Sequence, residues 1–291
     1  MNLKSTVLII PPNDAEALLI TELAEKIGLP TITSGQLHGA SLDKGTHDIV
    51  AQVKEGGYKT VVVVEMPGPK TEAKLRVLGV DLHIIDHHNY TDLDRGHDPK
   101  TGKLLASSLE QFIKLFKITD ARLKQFGYDP RTVKGIGVMD RGYVWALQDE
   151  GYSKKELKIV LDFHDKLLAP LTNSATEARK EQAAYNAWLR KTPWKQFFVI
   201  ESSANIQLRP LISRIVALEI GKPTPLIVVE RARQLIYVQE SKYAIDLLEK
   251  FGGFTFGLNR NWGFQKEKGK RDITLADVKR AIEQLDAQKK T

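Results

Sequence analysis

Three consecutive residues, Asp86, His87 and His88, close a mostly apolar segment that begins at Val80. In open α/β sheets, ligands collect at the carboxyl ends of strands, and a carboxylate with imidazoles suits divalent transition metals. The same three residues could instead form an ordinary polar loop at the end of a strand. The triplet alone therefore leaves a metal or phosphate site and a plain loop equally open.

Acidic residues also follow the other predicted strands of the first half. Asp14 comes after the strand at 6–10, Glu65 after the strand at 60–64, and Asp140 after the strand at 135–139. Because the carboxyl ends of parallel strands share one edge of a sheet, we expect these acids to converge with His87 on one ion. Three carboxylates and one imidazole suit manganese or magnesium. Asp14 has a simpler alternative, as the cap of the helix that begins at residue 15.

The elements that must position these residues alternate between strands and helices. Predicted strands at 6–10, 60–64, 82–85 and 135–139 are separated by predicted helices at 15–27, 43–55, 70–78 and 105–116. This alternation is typical of the α/β class, with right-handed crossovers and a parallel sheet. A charged helical stretch covers about 154–190, and strands and helices alternate again after Pro193. We therefore predict a parallel-sheet domain at 1–150, a helical connector at 151–192 and a smaller α/β domain at 193–291.

The composition limits the classes of protein to consider. The chain has 291 residues and no cysteine, which excludes thiolate metal sites, disulfides and cysteine nucleophiles. No apolar run approaches the roughly 20 residues of a membrane helix, and the first residues lack the pattern of a secretory signal. We therefore expect a cytoplasmic protein without membrane association. The net charge of +7 favours anionic partners, although the charged run at 266–271 could simply be a solvated surface.

These motifs resemble those of the DHH phosphoesterases, a superfamily that includes RecJ-type exonucleases, nanoRNases and family II pyrophosphatases. Asp86-His87-His88 matches the motif that names the superfamily. Residues 61–65, 105–109 and 135–140 are similar to three further motifs, and 251–264 resembles an altered motif of the DHH-associated domain. The resemblance implies that residues 1–150 form a metal-binding catalytic domain and residues 193–291 a substrate-binding domain.

The first motif departs from the family pattern, which is a histidine followed by Pro-Asp-x-Asp-Ala. Aligning residues 11–15 keeps only the second acid, as Asp14, and puts Pro12 and Leu8 where the family has an acid and a histidine. By this resemblance one metal position keeps four ligands, namely Asp14, Glu65, His87 and Asp140. The other keeps only Glu65, unless His38, His47 or His97, which could be ordinary surface histidines, replace the rest. The resemblance thus implies one divalent ion rather than two, Mn²⁺ before Mg²⁺.

The C-terminal motif departs as well, since the family has Gly-Gly-Gly-His followed by Ala-Ala-Gly. Gly252 and Gly253 remain, but the imidazole is missing. Arg260 offers a planar cation for phosphate, and Trp262, like Phe254 or Phe256, could stack on a base. The segment could equally be a glycine-rich turn whose aromatic residues pack in the core of a small domain.

Two functions follow from these motifs. The first is a metal-dependent phosphoesterase, in which a metal-bound water attacks phosphorus in a short oligonucleotide or small nucleotide held between the domains. His88 would contact the scissile phosphate, and Asp86 would orient a ligand. The second is a catalytically inactive family member that binds a nucleotide, a nucleic acid or a protein partner. We favour the enzyme, because an anion pocket without metal gains nothing from clustered carboxylates, and we leave a homodimer open.

Overall fold

The computed structural model describes residues 2–37, 39–44, 48–88, 98, 100–266 and 272–288. The chain divides into two compact units. The first unit consists of Met1–His88, Leu105–Asp140 and Ile159–Leu171, and the second contains the remaining residues. Each unit has a sheet of its own. Among the described helices, none is both long and apolar enough to cross a bilayer.

The sheet of the first unit has four parallel strands. They are β1 (Thr6–Ile10), β2 (Thr31–Thr33), β3 (Thr60–Val64) and β4 (Asp81–Ile85), in the order β2-β1-β3-β4. The central strands β1 and β3 are almost entirely apolar and buried, as expected for parallel strands covered on both faces. The prediction of a parallel sheet is therefore confirmed. Strand β2 was missed, because three residues are too few to show a pattern.

Helices of the first unit carry several of the predicted site residues. They are α1 (Ala15–Lys26), α2 (Ile49–Glu55), α3 (Pro69–Val77), α4 (Ser108–Leu115) and α5 (Asp120–Gln125). Helix α6 (Pro130–Asp149), which is interrupted at Gly142 and Tyr143, belongs to this unit up to Asp140, and α7 (Lys154–Leu168) belongs to it from Ile159. Helix α4 begins with a capping box, in which the Ser107 hydroxyl accepts from the Glu110 backbone and the Glu110 carboxylate accepts from the Ser107 backbone. The Leu109 backbone donates to Glu16 in the first turn of α1, and Ser108 donates to Glu65 directly after β3. The first turns of α1 and α4 therefore lie together near the end of β3.

The prediction of a strand at 135–139 is wrong, because these residues lie inside α6. Pro130 occupies the start of the helix, where its fixed φ is favourable. Asp129 accepts hydrogen bonds from the backbone and the hydroxyl of Thr132, both at 2.8 Å. The segment was mistaken for a buried strand because its residues are buried on several sides of the helix, which produces a short continuous apolar run. Asp140 therefore stands on a helix and not at a strand end.

The second unit is built on a six-stranded mixed sheet. Its strands are β5 (Thr192–Trp194), β6 (Phe197–Ser202), β7 (Leu226–Glu230), β8 (Leu235–Gln239), β9 (Phe254–Phe256) and β10 (Asn261–Gln265). Their order is β5-β6-β7-β8-β10-β9, and only the β6–β7 pair is parallel. Helices α8 (Ser174–Leu189), α9 (Arg209–Ile220), α10 (Ala244–Phe251) and α11 (Leu275–Gln288) complete the unit. The α/β class predicted for the whole chain is confirmed.

Helices α7 and α8 occupy most of the predicted connector at 151–192. The division into compact units runs through α7, with Lys158 in the second unit and Ile159 in the first. The domain boundaries after residues 150 and 192 therefore do not coincide with the ends of these units, and they stay predictions.

A substitution at Gly137 can measure how closely α6 packs against the start of α4. A Cβ atom at this position would lie 2.2 Å from Ser107 Oγ and 3.4 Å from Glu16 Oε1. We expect Gly137→Ala to lower the free energy of unfolding by about 1–3 kcal/mol through overpacking, even though alanine is the better helix former by about 1 kcal/mol. Urea denaturation measures this change.

The matched control is Gly35→Ala, because a Cβ atom there meets nothing within 4 Å. This control should leave the unfolding midpoint almost unchanged. A Gly137→Ala protein that is as stable as the wild type would contradict the close packing of α6 on Ser107.

Candidate metal centre

His87 is the centre of a cluster of acidic residues in the first unit. Its side chain is only 3% exposed, with Nδ1 at 3.1 Å from Glu65 Oε1 and Nε2 at 3.1 Å from Asp140 Oδ2. Burial would lower the pKa of His87, but the hydrogen bonds to Asp140 and Glu65 outweigh it and raise that pKa to about 11. One imidazolium therefore serves as positive partner for two carboxylates. A divalent cation near these carboxylates would compensate their negative charge more fully than one imidazolium does.

Glu16 completes the cluster, although the alignment of the first motif used above did not include it. The ligand atoms of four residues lie within 4.8 Å of one another; these residues are Glu16, Glu65, His87 and Asp140. Glu16 is almost fully buried and accepts a hydrogen bond from the Leu109 backbone at 3.0 Å through Oε1. No donor within the described residues reaches its Oε2. Burial, reinforced by the charges of Asp140 and Glu65, raises the pKa of Glu16 well above its ordinary range.

Two buried carboxyl groups in contact share a proton, as the hydrogen bond between Glu16 and Asp140 indicates, unless a bound cation allows both of them to ionise. Three carboxylates and one imidazole form a donor set that suits manganese or magnesium. The residues present therefore fit a divalent ion.

Asp14, which was predicted as a ligand, belongs to neither group of potential ligands found among the described residues. Its Oδ1 accepts from the Ala17 backbone at 2.8 Å, so Asp14 is the N-cap of α1. Its carboxylate still lies within the field of the cluster, because burial together with the charges of Asp140 and Glu65 raises its pKa to about 7. The group of four potential ligands thus contains Glu16 in place of Asp14, and the role of Asp14 as a ligand stays a prediction.

The sequence contained a signal for Glu16. Residues 14–17 read Asp-Ala-Glu-Ala, which fits the acid-x-acid-Ala part of the first motif two residues later than the alignment used above. In this alignment Asp14 takes the place of the first acidic residue of the motif, and Glu16 takes the place of the second. Only the first of the two lies at the N-cap, where the backbone N–H groups of the helix compete for its oxygen.

Glu65 and the start of α4 hold each other in place. Ser108 Oγ donates to Glu65 Oε1 at 2.7 Å, and the Glu65 backbone donates to Ile85 O at 3.0 Å. Glu65 has a left-handed backbone, with φ at 50°, where β3 ends and the chain changes direction. Contacts of this kind around a ligand fix its orientation.

Asp86 and His88 lie beside the cluster and form a pair of their own. Asp86 Oδ1 accepts from the His88 backbone at 2.7 Å and lies 3.1 Å from His88 Nδ1. The His88 side chain is 50% exposed, and its Nδ1 is 4.0 Å from Glu65 Oε1. Glu65, His87 and His88 also form the second group of potential ligands. The roles predicted for Asp86 and His88 stay predictions, and His38, His47 and His97 lie outside the described residues.

The predicted substrate residues of the C-terminal motif are part of the hairpin formed by β9 and β10. Trp262 is fully buried, and its Nε1 donates to Gly252 O at 2.8 Å, so its ring presents no face to a base. Gly252 and Gly253 have positive φ angles, and a Cβ atom on Gly253 would lie 2.3 Å from Gly263 O. These three residues therefore serve the packing of the hairpin, as in the alternative of a glycine-rich turn.

Arg260 is held by two carboxylates, those of Asp149 and Glu240. Its positive charge is therefore paired within the second unit, while 35% of its side chain is exposed. The predicted contact of Arg260 with a phosphate stays a prediction. Burial raises the pKa of Glu240 to about 7, although Arg260 acts in the opposite direction.

No family model and no curated protein sequence matches this chain. Solved structures resemble it over nearly its whole length. An exopolyphosphatase-related protein from Bacteroides fragilis has 12% identity and a TM-score of 0.48, with 98% of this chain and 93% of that chain covered. The pGpG-specific phosphodiesterase PggH from Vibrio cholerae has 11% identity and a TM-score of 0.44, with coverage of 97% and 98%.

A third similar structure is the exonuclease RecJ bound to manganese, with 16% identity, a TM-score of 0.41 and coverage of 97% and 90%. RecJ-type exonucleases belong to the superfamily that the sequence motifs resemble. At such low identities and TM-scores we base no statement about activity on them. The functional proposal rests on the cluster itself.

The choice between Glu16 and Asp14 as ligand can be tested by removing one charge at a time. We expect Glu16→Gln to weaken Mn²⁺ binding by more than about 100-fold, because loss of a ligand should exceed the 10–100-fold effects of outer partners. Asp14→Asn should weaken binding by about 10-fold or less, since asparagine caps a helix equally well. Isothermal titration calorimetry gives both affinities. The opposite order of effects would return Asp14 to the set of ligands.

Glu240 predicts a pH dependence of stability in the second unit. Its pKa is about 7 in the folded protein against an ordinary value of 4.5. Because the folded state favours the protonated form, this contribution to stability is fully present below about pH 4.5 and is lost as the pH rises through 7. The loss should be on the order of 2–3 kcal/mol. Urea denaturation from pH 4.5 to 8 should show a flatter profile for Glu240→Gln than for the wild type, and identical profiles would contradict the shift.

Proposed function

We propose that this protein is a metal-dependent phosphoesterase that hydrolyses short oligonucleotides or small nucleotides. The observation that carries the proposal is the buried cluster of Glu16, Glu65, His87 and Asp140, whose ligand atoms lie within 4.8 Å of one another. Without a cation, three carboxylates this close would repel a phosphate group. With a cation the same cluster attracts it. A single group of four ligands supports one ion, and the donor set favours Mn²⁺, with Mg²⁺ as second choice.

A divalent ion bound there would lower the pKa of a coordinated water and neutralise charge on the phosphoryl oxygens. The protein's own residues prepare the surroundings. Ser108 and the Leu109 backbone hold Glu65 and Glu16 in fixed orientations, which keeps the ligands arranged before an ion binds.

His88 is the residue that we assign to the substrate phosphate. Asp86 engages its Nδ1 at 3.1 Å, which fixes the ring and leaves Nε2 as the nitrogen that contacts a phosphate oxygen. The ring of His88 lies 4.2 Å from that of His87, so a phosphate on His88 would be close to the ion. Half of the His88 side chain is exposed, as a residue that meets substrate must be.

The competing function is a catalytically inactive protein that binds a nucleotide, a nucleic acid or a protein partner. The observation in its favour is that Asp14 is engaged as a helix cap, so the described residues hold one group of four ligands and no second one like it. Against it stands the group of three carboxylates around His87, which a binding pocket for anions does not need.

The two functions are separated by turnover of end-labelled di- to pentanucleotides in the presence of Mn²⁺. We expect the wild-type protein to release mononucleotides and to lose activity in EDTA. Asp140→Asn should reduce the rate by at least about 100-fold, because it removes an ion ligand. The products are separated by gel electrophoresis or liquid chromatography.

Asp48→Asn is the matched control, since Asp48 caps α2 through the Ala51 backbone in the same unit and asparagine caps equally well. This control should keep full activity. Binding without turnover would support the inactive protein. Neither binding nor turnover with DNA, RNA or cyclic dinucleotides would contradict both nucleic-acid hypotheses and favour a small phosphorylated metabolite.

A further inference from the structure

We propose that Arg209, Tyr237, Phe254 and Phe256 of the second unit form a binding site for a single nucleotide, with the phosphate on Arg209 and the base on the exposed aromatic ring. This site, called the aromatic–arginine site below, differs from the segment around Arg260 that the sequence had indicated. The choice of a nucleotide as ligand rests on the proposed function.

The pairing of β10 with β8 and β9 determines where the aromatic rings of the site lie. Gly263 of β10 lies opposite Tyr237 of β8 on one side and opposite Phe254 of β9 on the other. A Cβ atom on Gly263 would lie 2.6 Å from Phe254 Cζ and 3.1 Å from Tyr237 Cδ1. Because glycine has no side chain, both rings can lie over the backbone of β10. Strands β8 and β9 thus present aromatic rings on one face, on either side of the glycine of β10.

The three rings contact one another and are accessible to different degrees. The ring centroids of Phe254 and Phe256 are 6.0 Å apart, and that of Tyr237 is 6.4 Å from Phe254 and 6.1 Å from Phe256. Phe254 is 40% exposed, whereas Tyr237 is buried. On the opposite face of the same strands, Trp262 and Val238 belong to the hydrophobic core. The aromatic face with Phe254 at its edge is therefore open to a planar ligand.

Arg209 lies against this aromatic face. Its guanidinium carbon is 4.5 Å from the ring centroid of Phe256 and 5.5 Å from that of Tyr237. Burial lowers the pKa of its guanidinium, although arginine stays charged. Within the described part of the chain, no carboxylate forms an ion pair with this guanidinium, and no acceptor receives a hydrogen bond from it.

The neighbouring carboxylate, Glu230, is already engaged. Its Oε1 accepts from the backbones of Leu208 and Arg209 at 2.7 and 3.0 Å, and its Oε2 pairs with Arg233 at 2.5 Å. Other arginines of this unit face carboxylates as well, for example Arg231 with Glu201 and Arg260 with Asp149. Arg209 is stacked on aromatic rings instead. The charge of Glu230 offsets only part of the cost of burying the Arg209 cation, and an anionic ligand would offset more of it.

The two kinds of group together select the ligand. A guanidinium stacked on a ring has its N–H edge available for two parallel hydrogen bonds to phosphate. An exposed aromatic ring can stack on any base. A nucleotide is a small ligand that carries both an anion and a planar ring. The site would thus hold one nucleotide unit without selecting strongly for its base.

The test is the binding of AMP, adenosine and inorganic phosphate to the full-length protein in EDTA, where the candidate metal centre cannot contribute. Calorimetry or ligand-observed NMR gives the affinities. We expect the wild type to bind AMP more tightly than adenosine. Arg209→Ala should reduce AMP affinity to that of adenosine and leave adenosine unchanged. Phe254→Leu keeps an apolar side chain at a position that is 40% exposed and should weaken both ligands by about 5- to 150-fold, the range for loss of one stacked base.

Lys279→Ala is the matched control, because Lys279 Nζ lies 5.2 Å from the ring centroid of Trp194 in the same unit. It removes the same charge from another aromatic ring and should leave AMP affinity unchanged. Equal losses of AMP affinity in Arg209→Ala and Lys279→Ala would show that only the net charge of the protein matters for binding, and this would overturn the proposal. So would absence of AMP binding, or a change of oligomeric state in Phe254→Leu with unchanged AMP affinity, which would assign the face to a contact between chains.

The outcome is separable from that of the proposed function. Arg209-dependent AMP binding without any Mn²⁺-dependent turnover would support this site and contradict the phosphoesterase. Turnover that is unaffected by Arg209→Ala, in a protein that does not bind AMP, would support the phosphoesterase and contradict this site.

Discussion

The first unit is organised around one electrostatic constraint, which is that three carboxylates share a buried site with a single imidazole. Like charges at this separation destabilise each other unless a positive partner lies between them. His87 takes that place by pairing with Glu65 and Asp140. Glu16 has no side-chain cation of its own and retains an oxygen without a donor in the described structure. The cluster is therefore arranged for more positive charge than the protein itself supplies.

The backbone meets this constraint by bringing four elements to one point. Glu65 follows β3, His87 follows β4, Glu16 lies in the first turn of α1, and Asp140 lies in α6. The start of α4 supports them, because the Leu109 N–H and the Ser108 hydroxyl donate to Glu16 and Glu65. The N-terminus of a helix carries partial positive charge, which favours carboxylates there. Gly137 allows α6 to come close to Ser107, so the packing of α6 and the chemistry of the cluster depend on each other.

The second unit shows how differently two arginines of the same sequence can be used. Arg260 is compensated by Asp149 and Glu240, whereas Arg209 rests on Phe256 and Tyr237. Both residues offer the same guanidinium group, and only their neighbours distinguish them. Strand pairing decides which aromatic residues face the core, as for Trp262, and which face outward, as for Phe254.

The sequence by itself was sufficient to predict the parallel sheet, because β1, β3 and β4 are apolar runs separated by helices. It also located Glu65 and His87, because polar residues directly after buried strands must lie at the sheet edge. The tertiary structure decided what local patterns leave ambiguous. A short apolar run such as 135–139 fits a buried strand or a buried helix equally well, and an acid near a helix start can cap the helix, as Asp14 does, or enter the interior, as Glu16 does. The partners of Arg260 and Arg209 could not be foreseen, because they come from other segments of the chain, and charge compensation depends on where the fold brings those segments together.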